Sequence, residues 1–312
     1  MNPLIRSWLK IWDKLTNKRY RHELPPYMEM MEREMLYFSY HFYREVSGDY
    51  ARFAQIVDNH SLHPYFHYRH FTKPKKSGGT REIVEPDHKL KRIQSQISKL
   101  YLQRADVHPA AMGFRRKHSI ADHAWAHVGA EVIITADIVD FFPNTSRRRV
   151  RDWWGSRVET EQLAELLTIL TTYRGGLPQG APSSPFLSNT VNYDMDVKLT
   201  RHTQQHGGNY TRYGDDMVFS WYHSPPADFE HAIRSVLREF GYEINAKKGW
   251  QTYHRADEPE ITGVILRKHG KVEIPPELKR KIKQLERDDD QQARLAGYHG
   301  YQNMVENYKS KS

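Results

Sequence analysis

The chain has 312 residues, with 47 Lys and Arg against 38 Asp and Glu, a formal net charge of +9, 18 His and no cysteine. The missing cysteine excludes disulfides and thiolate metal sites and fits a reducing compartment. No apolar run reaches the roughly 18 residues of a membrane span, so a cytoplasmic protein that does not enter the membrane is expected. The length suits two domains or one domain with subdomains, and the basic balance favours a polyanionic partner, nucleic acid above all.

Residues 1–60 read as an N-terminal helical extension, in which Trp8, Leu9, Ile11, Trp12 and Leu15 recur on a helical period. Charges interrupt that stretch, which makes it an amphipathic helix rather than a secretory signal. Around 64–86, short extended pieces flank a basic, glycine-bearing turn, Lys73-Pro74-Lys75-Lys76-Ser77-Gly78-Gly79-Thr80-Arg81. Residues 87–104 return to helical spacing, with Leu90, Ile93, Ile97, Leu100 and Tyr101 on one face. Val132-Ile133-Ile134 predicts a buried strand leading into Asp137. Helix is predicted over 147–172, and 177–189 reads as a loop opening another helix. Tyr210–Trp221 fits a hairpin with Gly214-Asp215 as its turn. A helix over 226–240 and strands at Tyr242–Asn245 and Ile261–Leu266 follow, then a hairpin around Gly270. From Pro275 the chain reads as basic and helical, and the Asp run at 288–290 as a solvated turn between helices.

Two acidic segments carry the chemistry: Asp137-Ile138-Val139-Asp140-Phe141-Phe142 and Tyr213-Gly214-Asp215-Asp216. Adjacent carboxylates repel, and each resists ionisation beside the other. A divalent cation removes that penalty, and oxygen-only Asp ligands suit Mg²⁺. A pair of such ions, roughly 3.5–4 Å apart, clamps the attacking and leaving oxygens of a phosphoryl transfer. Asp137 would project at a strand terminus beside the carbonyl of Ile138. Taken singly, Asp137 also reads as a helix cap and Asp215-Asp216 as a solvated turn. Between them lies Leu177-Pro178-Gln179-Gly180-Ala181-Pro182-Ser183-Ser184-Pro185, a loop that proline and glycine fix in shape. There, Gln179 can offer its amide to a base or sugar.

On these motifs the chain resembles a prokaryotic reverse transcriptase of the retron and defence-associated kind, over about residues 60–310. The matching blocks are Arg81–Pro86, Ala111-Met112-Gly113-Phe114-Arg115, Asp137–Pro143, Leu177–Asn189, Tyr213–Asp216, Asn245-Ala246-Lys247-Lys248 and Ile261-Thr262-Gly263. The resemblance implies an α/β (α+β) right-hand polymerase fold, with fingers and part of the palm over 61–135, palm over 136–266 and a helical thumb over 267–312. It makes Asp137, Asp215 and Asp216 the catalytic, metal-binding carboxylates, with the Ile138 carbonyl beside them, for two Mg²⁺ ions that Mn²⁺ can replace. Phe142 falls at the sugar gate, where an aromatic ring leaves no room for a 2′-hydroxyl and favours dNTPs. Core packing is the other reading for Phe141-Phe142, and one of the two rings is expected to serve it. Arg81 with Lys73, Lys75 or Lys76 would hold the triphosphate, Arg as a bidentate donor and Lys as a point charge. Lys248 would protonate or neutralise the leaving pyrophosphate, with Lys247 competing, and Tyr213 would pack beneath the primer end.

Against the retron signature Asn-Ala-x-x-His this chain has His123-Ala124-Trp125-Ala126-His127; Ile261-Thr262-Gly263 stands for Val-Thr-Gly, and Gly214 for the usual Ala. A retron enzyme and a sister defence-associated group both remain open. His123 and His127 read as RNA contacts or packing rather than metal ligands. Lys279, Arg280, Lys281 and Lys283 would track a template–primer backbone. The activity implied is an RNA-directed DNA polymerase making cDNA from a dedicated structured noncoding RNA, in antiphage defence, with a toxin or effector protein as a further partner. The alternatives are a retron reverse transcriptase making branched RNA-linked single-stranded DNA, and a non-catalytic RNA-binding scaffold.

Overall fold

The structure, a computed structural model, describes residues 67–74, 79–158, 161–246, 249–287 and 291–308. In chain order its first elements are strands β1 (Tyr68–Pro74) and β2 (Thr80–Pro86), helices α1 (His88–Leu100) and α2 (Ile120–Trp125), and strand β3 (Val132–Asp137). Helices α3 (Phe141–Asn144), α4 (Arg147–Gly155), α5 (Glu161–Thr171), α6 (Ser184–Val191) and α7 (Tyr193–Gln205) come next. Strands β4 (Asn209–Tyr213) and β5 (Asp216–Trp221), helix α8 (Phe229–Glu239) and strand β6 (Trp250–His254) follow. The chain closes with strands β7 (Glu260–Ile261), β8 (Val264–Leu266) and β9 (Val272–Glu273) and helices α9 (Pro276–Leu285) and α10 (Gln292–Glu306). The mixed α/β class expected from the sequence is the class observed. The helical extension at 1–60 and the Asp run at 288–290 lie outside the described residues.

The described chain forms two compact units, both discontinuous in sequence. The first gathers residues up to Arg104 with Val150–Tyr173 and Pro178–Ser183; the second gathers Ala105–Arg149, Arg174–Leu177 and the chain from Ser184. In the first unit β1 and β2 pair antiparallel from Tyr68↔Pro86 to Pro74↔Thr80. α1 starts where the Asp87 carboxylate accepts from the Leu90 N–H at 2.9 Å, a helix cap. It buries Leu90, Ile93 and Ile97 as their spacing predicts. The buried Gln94 amide donates to the Leu170 carbonyl at 2.9 Å, which ties α1 to the end of α5.

The second unit is built on a four-stranded antiparallel sheet ordered β4-β5-β3-β6. Alternation along the two central strands divides the unit into two cores. Ile134, Ala136, Met217, Phe219 and Trp221 face Met195 and Leu199 of α7 and Phe229, Ile233 and Leu237 of α8. Ile133 and Val218 face the other way, onto α2, the small β7-β8-β9 sheet, α9 and α10.

Three expectations change. The 147–172 helix is two helices, α4 and α5. Tyr242–Asn245 is not a strand; Ile244 makes an isolated bridge to Ile138, beyond the end of β3. The partner of β3 on that edge is β6. Ile261–Leu266 is two strands separated by a turn in which Thr262 and Gly263 have φ of 49° and 84°.

Gly176 marks the tightest packing in the second unit. A Cβ there would stand 1.9 Å from the Pro143 carbonyl oxygen, while the Leu177 N–H donates to the Phe142 carbonyl at 3.0 Å. Backbone cannot give way as a flexible side chain does. Gly176→Ala is therefore expected to destabilise the fold by about 1–3 kcal/mol, read as a lowered midpoint in urea unfolding.

Candidate active site

The sheet sets the acids opposite one another. Asp137 ends β3 and Asp216 opens β5, and the two are direct partners in the antiparallel ladder. Partners in a ladder share a face, and like charges placed directly opposite are destabilising. Asp137 is buried and Asp215 and Asp216 are half-buried. The Ile138 N–H donates to the Asp215 carbonyl at 2.9 Å, so the turn is tied to the strand end. On the other side the Asn245 amide donates to Asp137 Oδ1 at 3.0 Å, and the Asn245 N–H to the Asp137 carbonyl at 2.8 Å.

The Gly214-Asp215 turn is fixed from behind by a buried ion pair. Arg212 donates from Nε to Asp196 Oδ1 at 2.9 Å and from Nη2 to Oδ2 at 2.7 Å, with both side chains fully buried. Its remaining nitrogen, Nη1, donates to the Gly214 carbonyl at 3.0 Å. The Tyr210 hydroxyl adds a bond to Asp196 Oδ1 at 2.9 Å. Burial alone would push the guanidinium down; the Asp196 carboxylate outweighs it and the net shift is upward. From the front, the 110–113 segment lies along β4, with Met112 N–H donating to the Arg212 carbonyl at 2.8 Å. The buried Asn189 amide holds the Gly113 carbonyl at 2.7 Å.

Phe142 is half-buried, packed on the buried Phe141 at 5.5 Å between ring centroids. Phe141 is thus the core ring and Phe142 the one at the surface. Tyr213 is half-buried, and burial raises its phenol above the ordinary value, keeping it protonated.

His123 and His127 are sealed in the second unit, and of their two readings packing holds. His127 bonds Ser220 Oγ at 2.7 Å and Thr211 Oγ1 at 2.6 Å, and His123 Nδ1 bonds Thr262 Oγ1 at 3.0 Å. At 0% and 1% exposure neither ring can touch RNA. Burial lowers the His123 ring to about 3 and the His127 ring well below its ordinary value, so both are neutral.

Lys73, Arg81 and Gln179 belong to the first unit, and the three Asp, Ile138, Phe142 and Tyr213 to the second. Lys73 and Arg81 are exposed direct partners across β1 and β2, and Gln179 accepts the Val84 N–H at 2.8 Å through its carbonyl. Lys75, Lys76, Lys247 and Lys248 lie outside the described residues. On α9, Arg280 and Lys283 are exposed, whereas Lys279 is paired with Glu273 at 2.8 Å and Glu306 at 3.2 Å.

The donor set at the strand ends is all oxygen. Among the described residues no three His, Cys, Asp or Glu side chains converge into a preformed cage. Mg²⁺ does not need one, since it is held by one or two carboxylates and completes its shell with water and substrate phosphate. The residues fit that ion.

Residues 73–266 match the sequence profile of the family described as reverse transcriptase (RNA-dependent DNA polymerase). The chain belongs to the reverse transcriptase family. Members of that family generally use divalent metals. The retron Mx162 reverse transcriptase of Myxococcus xanthus is 31% identical over 234 residues, covering 66% of this chain and 48% of that protein. The retron Ec86 reverse transcriptase of Escherichia coli is 31% identical over 207 residues, covering 64% of this chain and 63% of that protein. The chain thus spans less than two thirds of the length of either relative. Among solved structures, apo telomerase from Candida Tropicalis, truncated from its C-terminal domain, aligns at a TM-score of 0.47 and 12% identity, over 67% of this chain and 55% of that one. No helix of the described residues is long and apolar enough to cross a membrane.

The sequence reading of this reverse transcriptase missed Asp196, Arg212 and Asn189. A signal existed for Asp196: it shares the buried face of α7 with Met195, Leu199 and Thr203, where a lone carboxylate demands a partner.

Removing one member of a buried ion pair strands the other charge. Arg212→Met is expected to cost about 3–5 kcal/mol, whereas Arg212→Met with Asp196→Leu and Tyr210→Phe should recover most of it. Urea unfolding of the two proteins checks this, and equal losses would contradict the pairing. The histidines give a pH dependence. Unfolded, each ring binds a proton near pH 6.5, whereas folded His123 binds one only near pH 3. The unfolded state thus holds more protons between these values, and stability falls as pH drops from about 6.5 toward 3. His127→Asn should flatten that fall in unfolding midpoints measured at pH 7 and pH 5.

Proposed function

We propose that this reverse transcriptase is an active RNA-directed DNA polymerase that copies a dedicated structured noncoding RNA into cDNA. The observation that carries the reading is the pairing of Asp137 with Asp216 at the strand ends, with Asp215 in the adjoining turn. A polymerase needs carboxylates gathered where the sheet stops and a bound nucleotide can reach them. Asp137, Asp215, Asp216 and the Ile138 carbonyl would hold two Mg²⁺ ions, with Mn²⁺ accepted in their place. When bound, these ions neutralise charge on the attacking and leaving oxygens of the transfer.

In the reaction the primer 3′-hydroxyl gives up its proton to solvent and its oxygen bonds the dNTP α-phosphorus, while the bond to the α–β bridging oxygen breaks and its electron pair leaves with pyrophosphate. The chain's own part is placement. Phe142 closes the space under C2′ against a hydroxyl, and Tyr213 supports the primer end. Arg81 with Lys73, Lys75 or Lys76 holds the triphosphate, Gln179 addresses a base or sugar, and Lys248 answers the charge on pyrophosphate. Exposed Arg280 and Lys283 follow the duplex backbone. Fingers and part of the palm over 61–135, palm over 136–266 and thumb over 267–312 belong to the same proposal. So do a cytoplasmic location, a role in antiphage defence and a toxin or effector partner.

A second reading has a specific basis. Both curated relatives described above are retron enzymes, which favours a branched product in which single-stranded DNA is joined to RNA. Sequencing the nucleic acid that copurifies with the protein separates the two, since a branched product leaves RNA attached to the DNA after denaturation.

Primer extension on poly(rC) with oligo(dG) and dGTP tests the activity. Asp215→Asn and Asp216→Asn should each abolish incorporation while RNA retention on filters is unchanged. Chelation should stop the parent enzyme, and added Mg²⁺ should restore it. Incorporation that persists in either variant would overturn the mechanism, and an inactive parent would leave the RNA-binding scaffold as the reading.

A further inference from the structure

Phe114 stands apart from every other residue around the acids. It is an aromatic side chain 37% exposed, and it is held in the left-handed backbone region at φ 59°. A bulky residue in that region is uncommon and persists only where its surroundings impose it. Those surroundings are visible. The carbonyl of the preceding Gly113 is pinned by the buried Asn189 amide at 2.7 Å, and a Cβ on Gly113 would come within 2.9 Å of the Gly214 nitrogen. Phe114 therefore cannot withdraw along the chain. Its ring is delivered to one place, above the turn that carries Asp215.

That place is occupied on three sides. The Phe114 ring lies 6.2 Å from the Phe142 ring and 6.0 Å from the Tyr213 ring, centroid to centroid. Beneath it, two atoms of its edge lie 3.4 and 3.5 Å from where a Cβ on Gly214 would stand. Phe142 has Phe141 as one wall at 5.5 Å and Phe114 as the other. A ring that excludes a 2′-hydroxyl does so only if it cannot swing aside. Phe142 is half-buried, so its inner wall comes from the core and its outer wall has to come from elsewhere.

We propose that Phe114 is a positioning residue for sugar selection, the outer wall that keeps Phe142 in place against ribonucleotides. The inference rests on the polymerase reading above and deepens it. Phe114 touches the gate, not the sugar, and its effect on selectivity passes through Phe142.

The test compares GTP with dGTP incorporation on poly(rC)–oligo(dG) for the parent, Phe114→Ala, Phe114→Tyr, Phe142→Ala and the Phe114→Ala, Phe142→Ala double variant. Loss of an aromatic neighbour should raise the GTP to dGTP ratio of Phe114→Ala roughly two- to tenfold, on the scale of one aromatic pair. Phe114→Tyr, which keeps the ring, should match the parent. Phe142→Ala should raise the ratio further, and the double variant should go no higher than Phe142→Ala, because residues acting through one another are not additive. A merely structural role would lower incorporation of both nucleotides and leave the ratio where it was. The inference is overturned if Phe142→Ala raises the ratio and Phe114→Ala does not, or if the two changes add. An unchanged ratio in Phe142→Ala removes the gate, and its wall with it. A parent that incorporates neither nucleotide defeats the polymerase reading itself, an outcome distinct from the others.

Discussion

The bond on which the acidic site depends is the one between Arg212 and Asp196. Both are fully buried, and an isolated charge at that depth costs several kcal/mol. The fork geometry of the guanidinium meets both carboxylate oxygens, and the Tyr210 hydroxyl occupies a further lone pair. What remains is a nitrogen with one direction left to point, and it points at the Gly214 carbonyl. A pair that only held α7 to β4 could be replaced by apolar side chains of similar volume. The third bond is what an apolar pair cannot supply, and it fixes the turn that presents Asp215.

The sheet explains why carboxylates can sit where they do. Through the middle of β3 and β5, successive residues are committed alternately to the two cores, and neither face has room for a charge. At Asp137 the ladder ends. The chain turns through Asp140 at φ 44°; after a last bond from Ile138 N–H to the Asp215 carbonyl at 2.9 Å, it bonds the 243–245 segment on its other side, Val139 N–H to the Glu243 carbonyl at 3.0 Å and Asn245 N–H to the Asp137 carbonyl at 2.8 Å. A strand end flanked by irregular backbone is where polar groups keep access to solvent and ligand while the strand keeps them still.

Local structure was legible in the sequence, and contacts completed across the fold were not. The strand leading into Asp137, the hairpin at Gly214-Asp215 and the amphipathic α1 follow from short-range spacing that tertiary packing did not override. Tyr242–Asn245 has the composition of a strand, but it lies beyond the end of β3, where one bridge is all the pairing left. Ile261–Leu266 hides a turn because Thr262, β-branched, gives no sign of adopting φ 49°. His123 and His127 read equally as surface or core residues. Their burial depends on hydroxyls of Thr211, Ser220 and Thr262, which belong to other elements. Asp196 and Arg212 look like ordinary charges until the fold cancels them.

Gly214, which departs from the alanine usual in retron enzymes, has a structural reason. Tyr213 and Asp216 pair across a two-residue loop, and only the first loop residue, Gly214, has positive φ, at 65°. That pattern belongs to the hairpin turn with glycine at its first central position, whose twist matches the flanking strands. Alanine would have to accept the left-handed strain or give up that φ. Giving it up would rotate the peptide whose carbonyl Arg212 holds and re-aim Asp215. A methyl group there would meet the Phe114 ring edge at 3.4 and 3.5 Å, an ordinary contact, so it is the backbone conformation and not lack of space that calls for glycine. Glycine at 214 and arginine at 212 are therefore one solution to holding a tight turn, and the identity of residue 214 follows from its backbone conformation.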